Sequence, residues 1–314
     1  MAKISQRVAD SGVVVVTDRK TYLGKRIACL FQGGEYEKVE SFSILRELHD
    51  MGVLKNTTVV LLSSYVDISC LQKFCRTWNI PMNFRVLGGA FPRVPKSLSM
   101  YDALRTEVTL QKTLDRIADG GEVCGYHNRL PIKNAKDLVL SMRFVKGRGS
   151  DSRVGYIQNV VCKTYRVFFV GGKPVVVQRV LKRHTDDKGD PVDQKQIDDV
   201  GPFLYQYGYK TETLGLRSDE AKKVRESVVC QVDSFVRDIS LGACVFGMNS
   251  LDKIIFADDP DTTAYNIKGS ENIQAVCEAI KAVSQTKPED IQHKIKSRSR
   301  NPVYPLPKGW VHEL

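Results

Sequence analysis

Two apolar segments separated by a glycine pair constrain the fold of this chain more than any other feature. They are Thr164–Val170 and Pro174–Leu181, with Gly171-Gly172-Lys173 between them. Short apolar runs rich in β-branched and aromatic residues are typical of strands, and a short connection containing glycine is typical of a hairpin. The sequence therefore predicts an antiparallel hairpin just past the midpoint of the chain.

Further elements surround this hairpin. The pattern predicts strands over Leu138–Phe144, Gly155–Val161, Ala243–Phe246 and Lys253–Phe256, and helices over Tyr101–Ala118, Ser218–Ile239 and Asn272–Val283. Strands that adjoin a hairpin favour antiparallel pairing, so we expect α+β organisation with flanking helices in the second half of the chain.

The first part of the chain shows another pattern, in which continuous apolar strands alternate with amphipathic helices. The predicted strands are Val13–Thr17, Arg26–Phe31, Thr58–Leu62 and Phe84–Leu87, and the predicted helices are Val39–Met51 and Ser69–Trp78. Continuous apolar strands are typical of parallel sheets that are buried on both faces. We therefore predict a small parallel α/β domain, and an α/β class for the whole chain.

Proline and glycine mark the predicted domain boundaries. The segment Gly88–Ser99 contains two of each and indicates a linker. We predict an N-terminal domain over 1–95, a second domain over 96–285 and a basic, proline-rich tail over 286–314. The tail is either an arm that binds nucleic acid or a partner, or a segment that packs back through Tyr304, Leu306 and Trp310.

Composition narrows the class of protein. The chain has 314 residues, of which 42% are apolar and 26% charged, which is ordinary globular composition. It has no run of 18 apolar residues and no apolar core of a signal peptide near its N-terminus. The eight cysteines form no CxxC pair, which is typical of reduced thiols. We expect a cytoplasmic protein without a membrane partner.

The net charge of +11 is concentrated in one block. Residues 126–188 hold 14 Lys and Arg against 4 Asp, a net charge of +10. Such a block attracts phosphates on a nucleotide, a nucleic acid or an acidic substrate. The tail adds a second basic cluster over 294–300.

Cations occupy two kinds of position in this block. Lys146 and Arg148 lie in a glycine-rich segment that follows a predicted strand, where backbone N–H groups and cations favour phosphate. Arg166 and Arg179 lie within the two apolar strands of the hairpin, where a charge is costly unless a counter-charge meets it. They predict an anionic ligand above the sheet, unless both side chains point outward to water.

Carboxylates border the last predicted strand. Asp252 precedes it, and Asp258, Asp259 and Asp261 follow it. Magnesium is usually held by one or two carboxylates together with substrate phosphates. The cluster therefore favours a Mg–ATP site, and an acidic surface turn is the alternative.

Residues 138–283 resemble the ATP-grasp superfamily. The most specific stretch is Gly155–Arg179, which contains a hinge strand with Gln158 and the segment YRVFFVGG. A long helix, a GxxxFG strand over Gly242–Gly247 and an acidic strand end follow in the family's order. RimK-like amino-acid ligases and inositol-phosphate kinases share this order. The family's terminal Glu/Asp-x-Asn is replaced here by Ala257-Asp258-Asp259. The stretch between the glycine-rich segment and the hinge strand is also shorter than in the family. Either Lys146 is not the family's first phosphate lysine, or the chain is a compact, divergent member. A non-catalytic member is also compatible with these departures.

The resemblance implies an ATP-grasp-like nucleotide-binding domain with ATP and Mg as cofactors. It assigns nucleotide contacts to Lys146, Arg148, Gln158, Asn159, Val160, Val161 and Arg166. It assigns contacts with the transferred group to Arg166 and Arg179, and the metal to Asp258 and Asp259.

Three functions remain open from the sequence. The first is a ligase that joins a carboxylate to an amine through an acyl-phosphate, with an acidic small molecule or a peptide carboxylate as partner. The second is an ATP-grasp kinase that acts on a phosphorylated small molecule. The third is a basic protein without turnover that binds nucleic acid through residues 126–188 and 294–300.

Overall fold

The computed structural model describes residues 2–17, 22–32, 42–63, 67–99, 105–108, 110–125, 131–137, 145–146, 153–159, 161–181, 210–258, 260 and 267–286. Within these residues the chain forms a parallel three-stranded sheet followed by antiparallel sheets, with helices packed against them. This is the α/β class that the sequence predicts, with antiparallel sheets in the second half.

The N-terminal part is a parallel sheet with helices on both faces. Its strands are β1 (Val13–Thr17), β2 (Thr58–Leu62) and β3 (Arg85–Leu87), in that spatial order. Its helices are α1 (Ala2–Ser11), α2 (Tyr22–Gln32), α3 (Ser43–Asp50) and α4 (Ile68–Thr77). Val14 and Val16 pack with α3 and α4, whereas Val13 and Val15 pack with α2. The buried faces explain why these strands are continuously apolar.

One strand predicted in this part is wrong, because Arg26–Phe31 lies within α2. Leu23, Ile27 and Phe31 are buried at a spacing of four residues, and Arg26 is exposed. The apolar residues therefore follow the period of a helix and not the alternation of a strand.

The segment Gly88–Ser99 connects the parallel sheet to the antiparallel part. Gly88 has a φ of +86°, and its N–H donates to Ser240 Oγ at 3.0 Å. A 3₁₀ turn over Lys96–Leu98 follows, and Ser99 forms a parallel bridge with Ala257. The boundary predicted at residue 95 lies within this segment.

A small antiparallel sheet comes next in the chain. Its strands are β4 (Arg105–Val108), β5 (Val123–Gly125), β6 (Pro131–Ile132), β7 (Val145–Lys146) and β8 (Arg153–Asn159). Their order is β4-β8-β5-β6, and β7 pairs with β8. Helix α5 (Leu110–Ala118) occupies only the second half of the predicted helix 101–118. The strand predicted over 138–144 lies outside the described residues.

The five-stranded antiparallel sheet, called the main sheet below, contains the predicted hairpin. Its strands are β9 (Lys163–Val170), β10 (Lys173–Leu181), β11 (Lys210–Thr213), β12 (Leu241–Met248) and β13 (Ile254–Ala257), in the order β11-β10-β9-β12-β13. Its helices are α6 (Asp219–Val236) and α7 (Ser270–Gln285). Gly171 and Gly172 have φ values of +58° and +75° and form the two-residue turn between β9 and β10. The hairpin prediction is therefore confirmed.

The main sheet packs on both faces. On the α6 face, Val167 and Phe169 belong to one cluster with Val228 of α6. On the α7 face, Phe168 and Val170 belong to another cluster, which includes residues of α2, α7, β1 and β2. The N-terminal sheet and the main sheet thus share a hydrophobic core, which covers the end of the α7 face near Val170.

Candidate functional site

Cross-strand register brings Arg166 and Asp258 into one row of the main sheet. Arg166 pairs with Gln178 on one side and Val245 on the other, and Gln178 pairs with Thr213. The Asp258 N–H donates to the Val245 carbonyl at 2.9 Å, which extends the row by one strand. Paired residues of antiparallel strands share a face, so the whole row lies on the α7 face. We call these five residues the Arg166 row.

The Arg166 row carries opposite charges at defined places. Gln178 is buried and its Nε2 donates to Thr213 Oγ1 at 3.1 Å. Arg166 and Asp258 are half-buried, and Val245 stands between them. Two strand spacings separate their Cα atoms by about 10 Å. A ligand that carries both phosphates and a divalent cation would meet a guanidinium at one end and a carboxylate at the other.

The backbone of Asp258 is held at both of its polar groups. In addition to the N–H bond to Val245, its carbonyl accepts from the Cys244 thiol at 3.0 Å. The predicted second ligand, Asp259, lies outside the described residues. No group of three or more His, Cys, Asp or Glu in the described part of the chain could hold a metal ion. A single carboxylate fits Mg²⁺ only when phosphate oxygens complete its coordination.

The connection between the two antiparallel sheets lies against this same face. Val161, between β8 and β9, packs on Val245 and Phe256. Phe256 pairs with Gly247, which lies two residues from Val245 along β12. The side chains of Phe256 and Val245 therefore both project from the α7 face. The Cys162 N–H donates to the Met248 carbonyl at 2.8 Å. This connection, which we call the hinge, therefore lies beside the Arg166 row.

The remaining predicted nucleotide residues belong to the smaller sheet. Lys146 lies on β7, where it pairs with Arg153, and Gln158 and Asn159 lie at the end of β8. Gln158 pairs with Arg105 of β4. The predicted residues Arg148 and Val160 lie outside the described part of the chain. The assignments are thus divided between the two sheets that meet at the hinge.

The structure does not bring Arg179 and Arg166 together. Arg179 pairs with Tyr165, the neighbour of Arg166 in β9, and consequently lies on the α6 face. Its Nε donates to Glu220 Oε1 at 3.0 Å, and its Nη1 lies 3.2 Å from Glu212 Oε2. The two arginines cannot face one ligand on one side of the sheet, because their side chains project in opposite directions.

A β-bulge is the cause of this separation. The turn pairs Val170 with Lys173, and an unbroken ladder from that pair would place Arg179 opposite Thr164, on the face of Arg166. The register shifts by one residue between Pro174 and Val176, which turns the rest of β10 over. Pro174 was the available signal, since proline within a strand is confined to edges and bulges.

Arg179, Glu220 and Tyr165 form a network that ties α6 to the main sheet, and sequence reasoning missed two of its members. The Tyr165 hydroxyl donates to Glu220 Oε1 at 2.8 Å. Hydrogen bonding to Arg179 lowers the pKa of Glu220, and the same bond raises the pKa of Arg179. Burial is the main cause that raises the pKa of Tyr165. Ionised Glu220 is the form that the network stabilises.

Glu220→Gln is expected to make the free energy of unfolding less sensitive to acid. The pKa of Glu220 is lower in the folded chain than its ordinary value of 4.5, so its contribution is complete above pH 4.5 and is lost as the pH falls below it. Urea unfolding at several pH values measures this loss. Asp238→Asn, at an exposed acid just past the C-terminal end of α6, is the control. Equal acid sensitivity in the wild type and Glu220→Gln would contradict the prediction.

Asp252 is separate from the carboxylates that follow β13. It precedes that strand, and its carboxylate oxygens contact Lys163 Nζ at 3.0 Å and Lys223 Nζ at 2.6 Å. Both hydrogen bonds lower the pKa of Asp252, and the bond to Lys223 has the larger effect. The expectation that Asp252 belongs to one acidic cluster with Asp258 is therefore wrong, because the length of β13 lies between them.

None of the described helices is both long and apolar enough to cross a membrane. No protein-family model and no curated protein matches the sequence.

Several solved structures are similar to this chain. The ligase PsnB, complexed with minimal precursor, Mg and ADP, is 11% identical, with a TM-score of 0.35 and coverage of 88% of this chain and 98% of that one. N5-carboxyaminoimidazole synthetase from Staphylococcus aureus, complexed with ADP, is 12% identical, with a TM-score of 0.35 and coverage of 91% and 76%. D-alanine–D-alanine ligase from Bacillus anthracis, complexed with ATP, is 12% identical, with a TM-score of 0.29 and coverage of 87% and 94%. These likenesses are distant, and the chain's own contacts carry the function proposed below.

Proposed function

We propose that this protein is an ATP- and Mg-dependent ligase of the ATP-grasp type, which joins a carboxylate to an amine. The observation that supports this function is the Arg166 row. It places a guanidinium and a carboxylate on one face of the main sheet, beside the hinge to the smaller sheet. A nucleotide between the two sheets would meet the row with its phosphates and the hinge with its base.

Each part of this proposed site has a role. Arg166 would contact phosphate oxygens, together with Lys146 and Arg148. The hinge segment Gln158–Val161 lines the adenine. Asp258, with Asp259, would hold Mg²⁺ through carboxylate oxygens, and the metal would neutralise charge on the phosphates.

The proposed reaction has two steps. A carboxylate oxygen of the acceptor attacks the γ-phosphorus of ATP, and the bond from that phosphorus to the oxygen bridging the β- and γ-phosphates breaks. ADP departs, and the acceptor becomes an acyl-phosphate. The amine nitrogen then attacks the acyl carbon, loses a proton and expels inorganic phosphate. Arg166 stabilises the negative charge that develops on the transferred phosphoryl group. The basic block over 126–188 favours an acidic small molecule or a peptide carboxylate as the acceptor.

Thermal unfolding with ATP and Mg²⁺, each alone and then together, tests this proposal. We expect full stabilisation only when both are present, because the metal completes the charge balance between Asp258 and the phosphates. A ligand at one hundred times its dissociation constant adds about 2.7 kcal/mol to the free energy of unfolding. GTP is the nucleotide control, and the absence of a shift at millimolar Mg–ATP would contradict the proposal.

Asp258→Asn is expected to remove the stabilisation that depends on Mg²⁺ while the fold remains intact. The amide keeps the size of the side chain but loses the charge that a hard cation requires. Asp233→Asn is the matched control, because Asp233 lies on α6 and pairs with Arg237 at the surface. A magnesium effect equal to that of the wild type would show that Asp258 is not a metal ligand. ADP release with candidate acceptors would then be measured on the wild type and both variants.

A further inference from the structure

A cavity lies on the α6 face of the main sheet, on the other side from the Arg166 row. Its volume is about 390 Å³, within the range of small-molecule sites. Val224 of α6 and Met248 of β12 contribute buried apolar surface to its wall. Charged side chains of both signs complete the lining, and they come from β9, from α6 and from the turn between β12 and β13.

Two lysines and one aspartate form one side of the cavity, and Asp219 and Glu220 also line it. Lys163 and Lys223 both contact the carboxylate of Asp252, which leaves two ammonium groups against one carboxylate. The lysine side chains are 47% and 68% exposed, whereas that of Asp252 is 18% exposed. A further anion therefore has access to both lysine side chains from solvent.

Asp252 is held in place by its turn. Its φ of +58° lies in the left-handed region, which is uncommon for a residue other than glycine. Its carbonyl accepts from Gln231 Nε2 at 3.0 Å, and the Asn249 side chain accepts from the N–H groups on either side, those of Leu251 and Lys253. The anion that orients the two lysines is thus part of a rigid turn.

Helix α6 adds an acid and a hydroxyl in line with one of these lysines. Asp219, Lys223 and Ser227 follow each other at four-residue spacing and all line the cavity. Lys223 turns to Asp252 and not to Asp219. Within the described part of the chain, the side chains of Asp219 and Ser227 have no polar partner. Asp219 and Lys223 therefore present a carboxylate and an ammonium group one helical turn apart, with about 6 Å between their Cβ atoms.

We propose that this cavity binds a free α-amino acid with an apolar side chain. Its carboxylate contacts Lys163 and Lys223, its ammonium group contacts Asp219, and its side chain packs on Val224 and Met248. A ligand with both charges and an apolar group matches all three parts of the lining, whereas a simple anion matches only one. This site is independent of the proposed nucleotide site, which lies on the other face of the sheet.

Calorimetric titration of the full chain with L-leucine, without ATP, tests this proposal. We expect one molecule of leucine to bind per chain. The analogues 4-methylpentanoate, which lacks the ammonium group, and 3-methylbutylamine, which lacks the carboxylate, should bind at least about tenfold more weakly, because each loses a charged hydrogen bond. Absence of leucine binding at millimolar concentration would overturn the proposal. Equal binding of leucine and 4-methylpentanoate would overturn it too, since it would indicate a simple anion site.

Variants locate the binding. Lys223→Gln and Asp219→Asn are each expected to weaken leucine binding at least about tenfold. Lys222→Gln, the adjacent exposed lysine that does not line the cavity, should leave it unchanged. Ser227→Phe, which fills the cavity, should abolish binding. An equal loss in Lys222→Gln, or no loss in Ser227→Phe, would place the leucine elsewhere and refute the assignment. Because ATP is absent, failure of the nucleotide proposal does not affect these results.

Discussion

Replacing Arg166 with glutamine is expected to weaken Mg–ATP binding by about 10- to 100-fold. Arg166 provides the guanidinium in the row that ends at Asp258, and the hinge residue Val161 packs beside that row. A hydrogen bond to a charged group contributes about 1.5–3 kcal/mol, and each 1.4 kcal/mol is a tenfold change in affinity. Glutamine retains a donor but loses the charge, so the affinity for phosphates should fall within this range.

The effect of Arg166→Gln is best measured by calorimetric titration with ATP at constant Mg²⁺, beside urea unfolding of the same samples. Arg179→Gln is the matched control from the same hairpin. Arg179 lies on the α6 face with Glu220 and Glu212, so its replacement should lower stability and leave nucleotide affinity unchanged. If Arg166→Gln folds normally and binds Mg–ATP as tightly as the wild type, Arg166 is not in the nucleotide site.

The contrast between these two arginines shows where sequence reasoning succeeds and fails. The strands β9 and β10 and their turn follow from apolar runs and two glycines, which are local signals. The face that a side chain occupies depends on register, and one extra residue near Pro174 reverses it for the rest of β10. A bulge is a property of two paired strands, so a count along one strand does not reveal it.

The position of Asp258 is another long-range result. The local sequence around Asp258 predicts an acid at the end of a strand, but an acidic surface turn has the same composition. The pairing of β12 with both β9 and β13 makes it the neighbour of Val245 and thus a member of the Arg166 row. The helical state of Arg26–Phe31 was missed for a related reason, since short apolar runs are ambiguous until their packing partners are known.

The packing of the hinge depends on a glycine that is next to the last residue of β12. Phe256 is buried, and its ring lies directly over Gly247. A Cβ atom at residue 247 would come within 1.7 Å of Cε1 of that ring. On the same face, Val161 packs on Phe256 and Val245. Movement of the ring would therefore press on the segment that joins the two antiparallel sheets.

Gly247→Ala is consequently expected to lower the free energy of unfolding by about 3 kcal/mol, the upper end of the usual cost of overpacking. Urea unfolding measures this loss, with Gly215→Ala as the matched control. A Cβ atom at residue 215 would meet no other atom within 4 Å, and Gly215 has no positive φ. Its replacement should therefore change stability by less than about 1 kcal/mol.

The double variant Gly247→Ala, Phe256→Leu separates steric conflict from other causes. Leucine lacks the ring that collides with the new methyl group, so the second substitution should cost less in the alanine background than in the wild type. Such coupling is expected for residues in direct contact. If the two effects add independently, or if Gly247→Ala is as mild as Gly215→Ala, the ring of Phe256 has room to turn. The hinge would then be packed less tightly against the Arg166 row than the contacts of Val161 indicate.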